Sequence, residues 1–249
     1  MAKGVSLTNP DYRKEPRTRV GLEDIRNNYG LYYLAMNPAF KYTYYQQVIL
    51  APIFDGIVKH EQKFNRVMNI EPFRHSKSTM GTINFVPYYL GHHPDETVMV
   101  LAYGHKLARR FGRAIRDIMQ KSPLYAELFP NSRISKSSRA ADEFETVAGG
   151  HFYAGGFDTG INGVGGNGLI LDDPHKNKES VTSDANVAQW KSIYDNVITN
   201  RCEPGAWILA NTTRWAPNDL IGWRMKEDGA FDYLNGGKYE DGPAQQVAH

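Results

Sequence analysis

The stretch that decides the fold is Arg66-Val-Met-Asn-Ile-Glu71-Pro-Phe-Arg74-His75-Ser76-Lys77-Ser78-Thr79. Its first five residues alternate in strand fashion. The next six carry a proline and small or polar residues. Lys-Ser then opens an apolar stretch of helical spacing. Strand, loop and helix with a lysine and a hydroxyl at the helix start form a phosphate-binding context, because the first backbone N–H groups of a helix lack intrahelical partners and point outward. Lys77 would contact the β- and γ-phosphates, and the Ser78 hydroxyl would hold Mg²⁺. The usual spacing is GxxxxGK[ST], and here Glu71 and Ser76 stand at the glycine positions. Ser76 adds a Cβ where a left-handed backbone favours glycine. Taken alone, a basic loop ahead of a helix explains the segment equally well.

On either side of this stretch, apolar runs of strand length alternate with helical periods. Strands are expected at 66–70, 97–103, 168–172 and 206–211, with a further one at 143–148. Helices are expected at 77–90, 105–120, 183–199 and 218–226. The segment 22–59, rich in Tyr, Leu and Ile, reads as two or three helices with a turn near Asn37-Pro38. The residues before it read as a polar arm. Continuous apolar strands between helices imply a mainly parallel sheet covered on both faces, with ligands beyond the strands' carboxyl ends.

Two of those ends carry polar residues. Gly168-Leu-Ile-Leu-Asp172-Asp173-Pro174 is an apolar strand closed by two carboxylates. Asp172 would hold Mg²⁺ and Asp173 would orient or deprotonate water, although Asp-Asp-Pro is also an ordinary turn. Ala210-Asn-Thr212-Thr213-Arg214-Trp215 ends another, where hydroxyls would sense the γ-phosphate or merely cap the strand. Order and position together predict an α/β P-loop NTPase of the additional-strand type, with a mainly parallel central sheet, flanking helices and an N-terminal helical segment. Residues 1–60 would be arm and helical lid, and 61–249 the ATPase core. The strand at 97–103 is expected between the phosphate-loop strand and the acidic strand.

Several stretches resemble phage large terminase subunits: PFRHSKST, LAYGHKLARRFGRAIRDIMQKSPLYAELFP, ADEFETVAGGHFYAGGFDTGINGVGGNGLILDDPHKN and ANTTRWAPNDL, together spanning roughly 46–224. The resemblance implies Mg²⁺-dependent ATP hydrolysis that drives double-stranded DNA into a procapsid. It further implies a homo-oligomeric ring on the portal protein, a small terminase partner and action in the host cytoplasm, with no membrane. It makes Lys77 and Ser78 the Walker A pair, Asp172 the Walker B aspartate, and Asp173 the water-activating carboxylate in place of the usual glutamate. Glu179 is a substitute base. Arg74, His75, Ser76 and Thr79 complete the nucleotide loop, with Arg74 reaching the γ-phosphate. Gln46 or Gln47 falls at the adenine-recognition position, with Gln47 taken as the contact, and Thr212 and Thr213 fall at the coupling motif. Val164 stands where members often carry arginine. The family's nuclease part is not expected in this chain, which leaves space for one more strand near 230–234. The competing readings are a degenerate phosphate loop serving a structural ring or DNA-binding role, and a helicase-type nucleic-acid ATPase.

Composition narrows the alternatives. Apolar residues make up 41% of 249, and the formal net charge is only +2, which argues against a tail-type nucleic-acid binder. One cysteine, Cys202, cannot form an internal disulfide and is expected as a small packing residue. The eight histidines show no HxxxH spacing, so no zinc site is expected, and His92 and His93 are expected at the surface. Arg109, Arg110, Arg113 and Arg116 are expected mostly on a solvated helix face, with one left as a candidate arginine finger. Arg139 is a second finger candidate. The tyrosines between Tyr29 and Tyr45 are expected in core and helix packing.

Overall fold

The computed structural model describes residues 20–72, 74–157, 165–227 and 232–233. Short helices α1 (Leu22–Asn27), α2 (Tyr29–Met36) and α3 (Ala51–Val58) precede strand β1 (Arg66–Ile70). A helix then starts at Lys77, winds more widely through a π segment at Thr79–Asn84 and continues as α4 (Phe85–His92). Next come β2 (Thr97–Ala102), α5 (His105–Lys121), α6 (Pro123–Leu128), β3 (Ile134–Arg139), β4 (Glu143–Thr146), β5 (His151–Gly156) and β6 (Gly166–Asp172). Helix α7 (Asp184–Arg201), β7 (Cys202–Thr212), α8 (Leu220–Glu227) and β8 (Asp232–Tyr233) complete the order.

The strands form one eight-stranded sheet in the order β3-β4-β5-β2-β6-β7-β1-β8. From β5 to β8 every pairing is parallel, and β3 and β4 add an antiparallel edge. The period of two along the strands sorts the core into two layers. Val98, Val100, Ala102, Ile170 and Leu209 face the layer built by helices α1 to α6. Met99, Leu101, Leu169, Leu171, Ile208 and Ala210 face α7 and α8. Both faces are covered, so the central strands read as unbroken apolar runs.

Tyr29, Tyr32 and Tyr33 are fully buried, and Tyr29 packs edge-on against Phe54, Phe85 and Tyr88. The tyrosines thus pack as expected, apart from Tyr44, which is exposed. The helices before residue 60 therefore share one core with the sheet. Buried Asp55 accepts hydrogen bonds from the Tyr29 N–H and the Tyr88 hydroxyl, each 2.9 Å away, and joins three helical segments.

Three expectations need correction. The strand between β1 and the acidic strand β6 is β7, not 97–103; β2 lies on the far side of β6. Apolar content alone cannot order the strands of a parallel sheet. Strands β3 and β5 went unread, because ISKSSR is polar at an edge and HFYAGG ends in glycines. His92 and His93 are not surface histidines: each ring is partly buried and bonds a backbone carbonyl, Arg26 O at 2.8 Å and Val58 O at 2.7 Å. Burial lowers the His92 pKa. The added strand near 230–234 is present as β8, beside β1. No helix among the described residues is long and apolar enough to cross a membrane.

Candidate functional site

The sheet register builds the site. Asn69, Asn211, Asp172 and Ala102 stand side by side in one row across β1, β7, β6 and β2, at the strands' carboxyl ends. Residues in one such row project to the same face. That face is covered by the helix beginning at Lys77. The helix comes close to the row because Gly81 has no side chain: a Cβ there would lie 2.6 Å from the Asn211 amide.

Asp172 is completely buried. Its Oδ1 accepts the Ser78 hydroxyl at 2.7 Å, and its Oδ2 accepts the Thr82 hydroxyl. Ser78 and Thr82 are four residues apart and share one helix face, so both reach the same carboxylate. Asn211 donates to Thr82 Oγ1 at 3.0 Å, and Asn69 donates to Asn211 Oδ1 at 3.2 Å. Burial pushes the Asp172 pKa up to about 7, against the stabilising hydroxyls of Thr82 and Ser78, with the Asp173 charge pushing further upward. A buried carboxylate held by hydroxyls is an oxygen donor set suited to a hard cation, and a cation would return it to its charged form.

Lys77 is also buried, and its Nζ lies 3.3 Å from Asp173 Oδ1. Asp173 is fixed from both sides: its N–H donates to Asn211 O at 2.9 Å, and its carbonyl accepts from Tyr103 N at 3.2 Å. This pins its backbone at φ 43, in the left-handed region. Arg74 and Ser76 in the loop share that conformation, each at φ 67. Ser76 O accepts the Met80 N–H at 2.8 Å, so Ser76 caps the helix that begins at Lys77. Of the four non-glycine residues with positive φ among those described, three therefore surround one cluster. Strained backbone of this kind concentrates at functional sites.

The other residues singled out from the sequence fall at different distances from this centre. Gln46 reaches the loop: its Nε2 donates to His75 O at 3.3 Å, and Gln47 Nε2 donates to Tyr42 O at 3.3 Å. Arg74 and His75 are exposed on the loop, and Thr79 follows Ser78 in the helix. Glu179 is exposed on a 3-10 turn, accepting from Asn177 at 2.8 Å, and no contact among the described residues joins it to Asp172. Thr213 donates to Glu71 O at 2.9 Å and Thr212 N-terminally adjoins it with its carbonyl accepting from Glu71 N at 3.2 Å. Thr212 and Thr213 are thus tied to the start of the loop, while Asn211 before them holds the carboxylate pair. Glu71 is buried, which raises its pKa against a hydrogen bond from Asn69. Arg109, Arg110 and Arg113 lie exposed on α5 as expected. The Arg139 side chain and Val164 lie outside the described residues.

Sequence reasoning missed Thr82, Asn69, Asn211, His175 and Asp219. A buried polar residue inside an apolar strand is an informative signal, and RVMNI and AWILAN each contain one. His175 is buried and accepts the Leu220 N–H at 3.0 Å, and burial lowers its pKa to about 4. Asp219 binds Arg214 at 3.0 Å and accepts the N–H groups of Trp215, Ala216 and Gly222, starting α8. Comparison with known protein families and with curated proteins returns no match for this chain.

Proposed function

We propose that this chain is a Mg²⁺-dependent ATPase of the additional-strand P-loop type that drives double-stranded DNA in the manner of a phage large terminase motor. One observation carries the reading: Ser78 at the helix start bonds the buried Asp172 at a strand end, with Lys77 and Asp173 beside them. The placement of one strand, β7, between β1 and β6 supports the additional-strand assignment. Ser78 and Asp172 are the residues that would hold Mg²⁺, and Lys77 with the loop N–H groups would hold the phosphates of ATP. The bound ion would supply charge neutralisation at the transferring phosphoryl group.

The chain's own groups have defined tasks in this reading. Lys77 brings a buried positive charge to the helix N-terminus. Asp173 accepts a proton from, or orients, the attacking water through its carboxylate. Asn211 and Thr82 fix the Asp172 rotamer. Thr212 and Thr213 transmit the state of the site into the loop they hold at Glu71. Ring assembly, the portal and small terminase partners and the host cytoplasm belong to the same proposal and rest on the sequence resemblance.

A second reading is a degenerate loop with a structural or DNA-binding role. It is favoured by Ser76 standing in a left-handed position and by Lys77 being paired with Asp173. Steady-state phosphate release with Mg²⁺ and duplex DNA separates the two. The ATPase reading expects Lys77→Ala to cut the rate by a hundredfold or more, about 3 kcal/mol of lost charge stabilisation. Equal rates for both proteins would leave the structural reading.

A further inference from the structure

We propose that His60, His93 and Glu96 form a second site, for one divalent transition-metal ion of the zinc class. The three donor atoms lie within 4.8 Å of one another. Glu96 Oε1 is 3.6 Å from His60 Nε2 and 3.8 Å from His93 Nδ1. Bonds of about 2.0–2.1 Å in a tetrahedral shell place donors about 3.4 Å apart; the two Glu96 pairs are within a few tenths of an ångström of that, and the two imidazoles, within 4.8 Å of each other, close on the ion by turning the half-exposed His60 ring.

The outer contacts are those of a ligand set. The His93 Nε2 lies 2.7 Å from Val58 O, which can only accept, so that nitrogen carries the proton and Nδ1 presents its lone pair toward Glu96. The Tyr89 hydroxyl donates to the other Glu96 oxygen at 2.5 Å and orients the carboxylate. His60 is the fourth left-handed non-glycine residue, at φ 53, and that turn carries its ring to 4.4 Å from the His93 ring. Its side chain is half exposed, which leaves the fourth position of the shell to water.

Two imidazoles and one carboxylate select zinc, cobalt or nickel over magnesium, which prefers an all-oxygen shell. Glu96 immediately precedes β2, so this site lies at the amino ends of the parallel strands, whereas Asp172 lies at their carboxyl ends. The two sites are therefore independent. The ion would staple the turn after α3, the end of α4 and the start of β2. Sequence spacing conceals the set, because His60 lies far from the other two.

The test is titration of the chelator-treated full chain, without nucleotide, with Co²⁺ followed by visible absorption and with Zn²⁺ followed by calorimetry. The expected result is one equivalent of four-coordinate Co²⁺, displaced by Zn²⁺. His60→Asn keeps a residue that tolerates the left-handed turn, and it should weaken binding at least tenfold. His93→Gln should do the same. His105→Asn, at an exposed histidine paired with Asp142, and Lys77→Ala should leave the titration unchanged. Absence of stoichiometric binding by the unmodified chain, or binding unaltered in both ligand variants, would overturn the proposal. So would loss of binding in Lys77→Ala.

Discussion

Ser76 holds the position where a phosphate loop ordinarily places glycine, and it does so at φ 67. A left-handed conformation costs an L-residue roughly 1–2 kcal/mol, while glycine loses about 0.4–1 kcal/mol through its freer unfolded chain. The first term is the larger, so Ser76→Gly should stabilise the protein by about 0.5–1 kcal/mol in urea unfolding. It should also tighten nucleotide binding, because the backbone could then approach phosphate more closely. A destabilised Ser76→Gly protein would mean that the serine side chain makes a contact the fold needs. The cost of a Cβ at this position was legible from the sequence, since only the residue type was required. The Lys77–Asp173 pair was not, because it depends on the left-handed turn at Asp173 imposed by Asn211 and Tyr103.

At the scale of elements, the segment from Thr213 to Leu220 is locked by two buried groups. Asp219 is 1% exposed, and its loss would remove the carboxylate paired with Arg214 and the acceptor of three backbone N–H groups. Asp219→Ala should therefore cost about 3–5 kcal/mol of stability, measured by urea unfolding, because a partly buried guanidinium loses its partner. A loss below about 1 kcal/mol would place the pair among ordinary surface salt bridges. His175 ties the loop after β6 to the first N–H of α8, and it must be neutral at Nε2 to accept that bond. Its folded pKa of about 4 lies below the ordinary 6.5. Between those values the unfolded chain binds a proton that the folded chain refuses. The His175 contribution to stability is thus complete above pH 6.5 and is lost as pH drops toward 4, by on the order of 3 kcal/mol. His175→Gln should flatten that acid limb in unfolding curves taken across the window; an unchanged slope would contradict the assignment.

These elements also show where reading a sequence stops. Helices 105–120 and 183–199 and strands β1, β2, β6 and β7 follow from period and length, which are local properties. Strand order is not local, and the identity of the strand between β1 and β6 required coordinates. The residues of the site divide the same way. Lys77, Ser78 and Asp172 sit at element boundaries that the pattern marks. Thr82, Asn69 and Asn211 gain their meaning only from the register that lines them up beside Asp172.

For the molecule as a whole, one mainly parallel sheet separates two independent sets of polar groups, a carboxyl-end cluster around Asp172 and an amino-end cluster around Glu96. The net charge of +2 gives no general attraction for DNA, so any grip on a duplex must come from local charge and weaken with salt. Of the two clusters, only the carboxyl-end one carries the proposed ATP chemistry. Its most direct test is a crystal structure with Mg²⁺ and a slowly hydrolysed ATP analogue. The account predicts a triphosphate against the 74–78 loop, with Lys77 Nζ on its terminal phosphates and a metal ion between Ser78 Oγ and the Asp172 carboxylate. Nucleotide bound elsewhere, or a loop that stays empty at saturating analogue with the Ser78–Asp172 hydrogen bond intact, would contradict it.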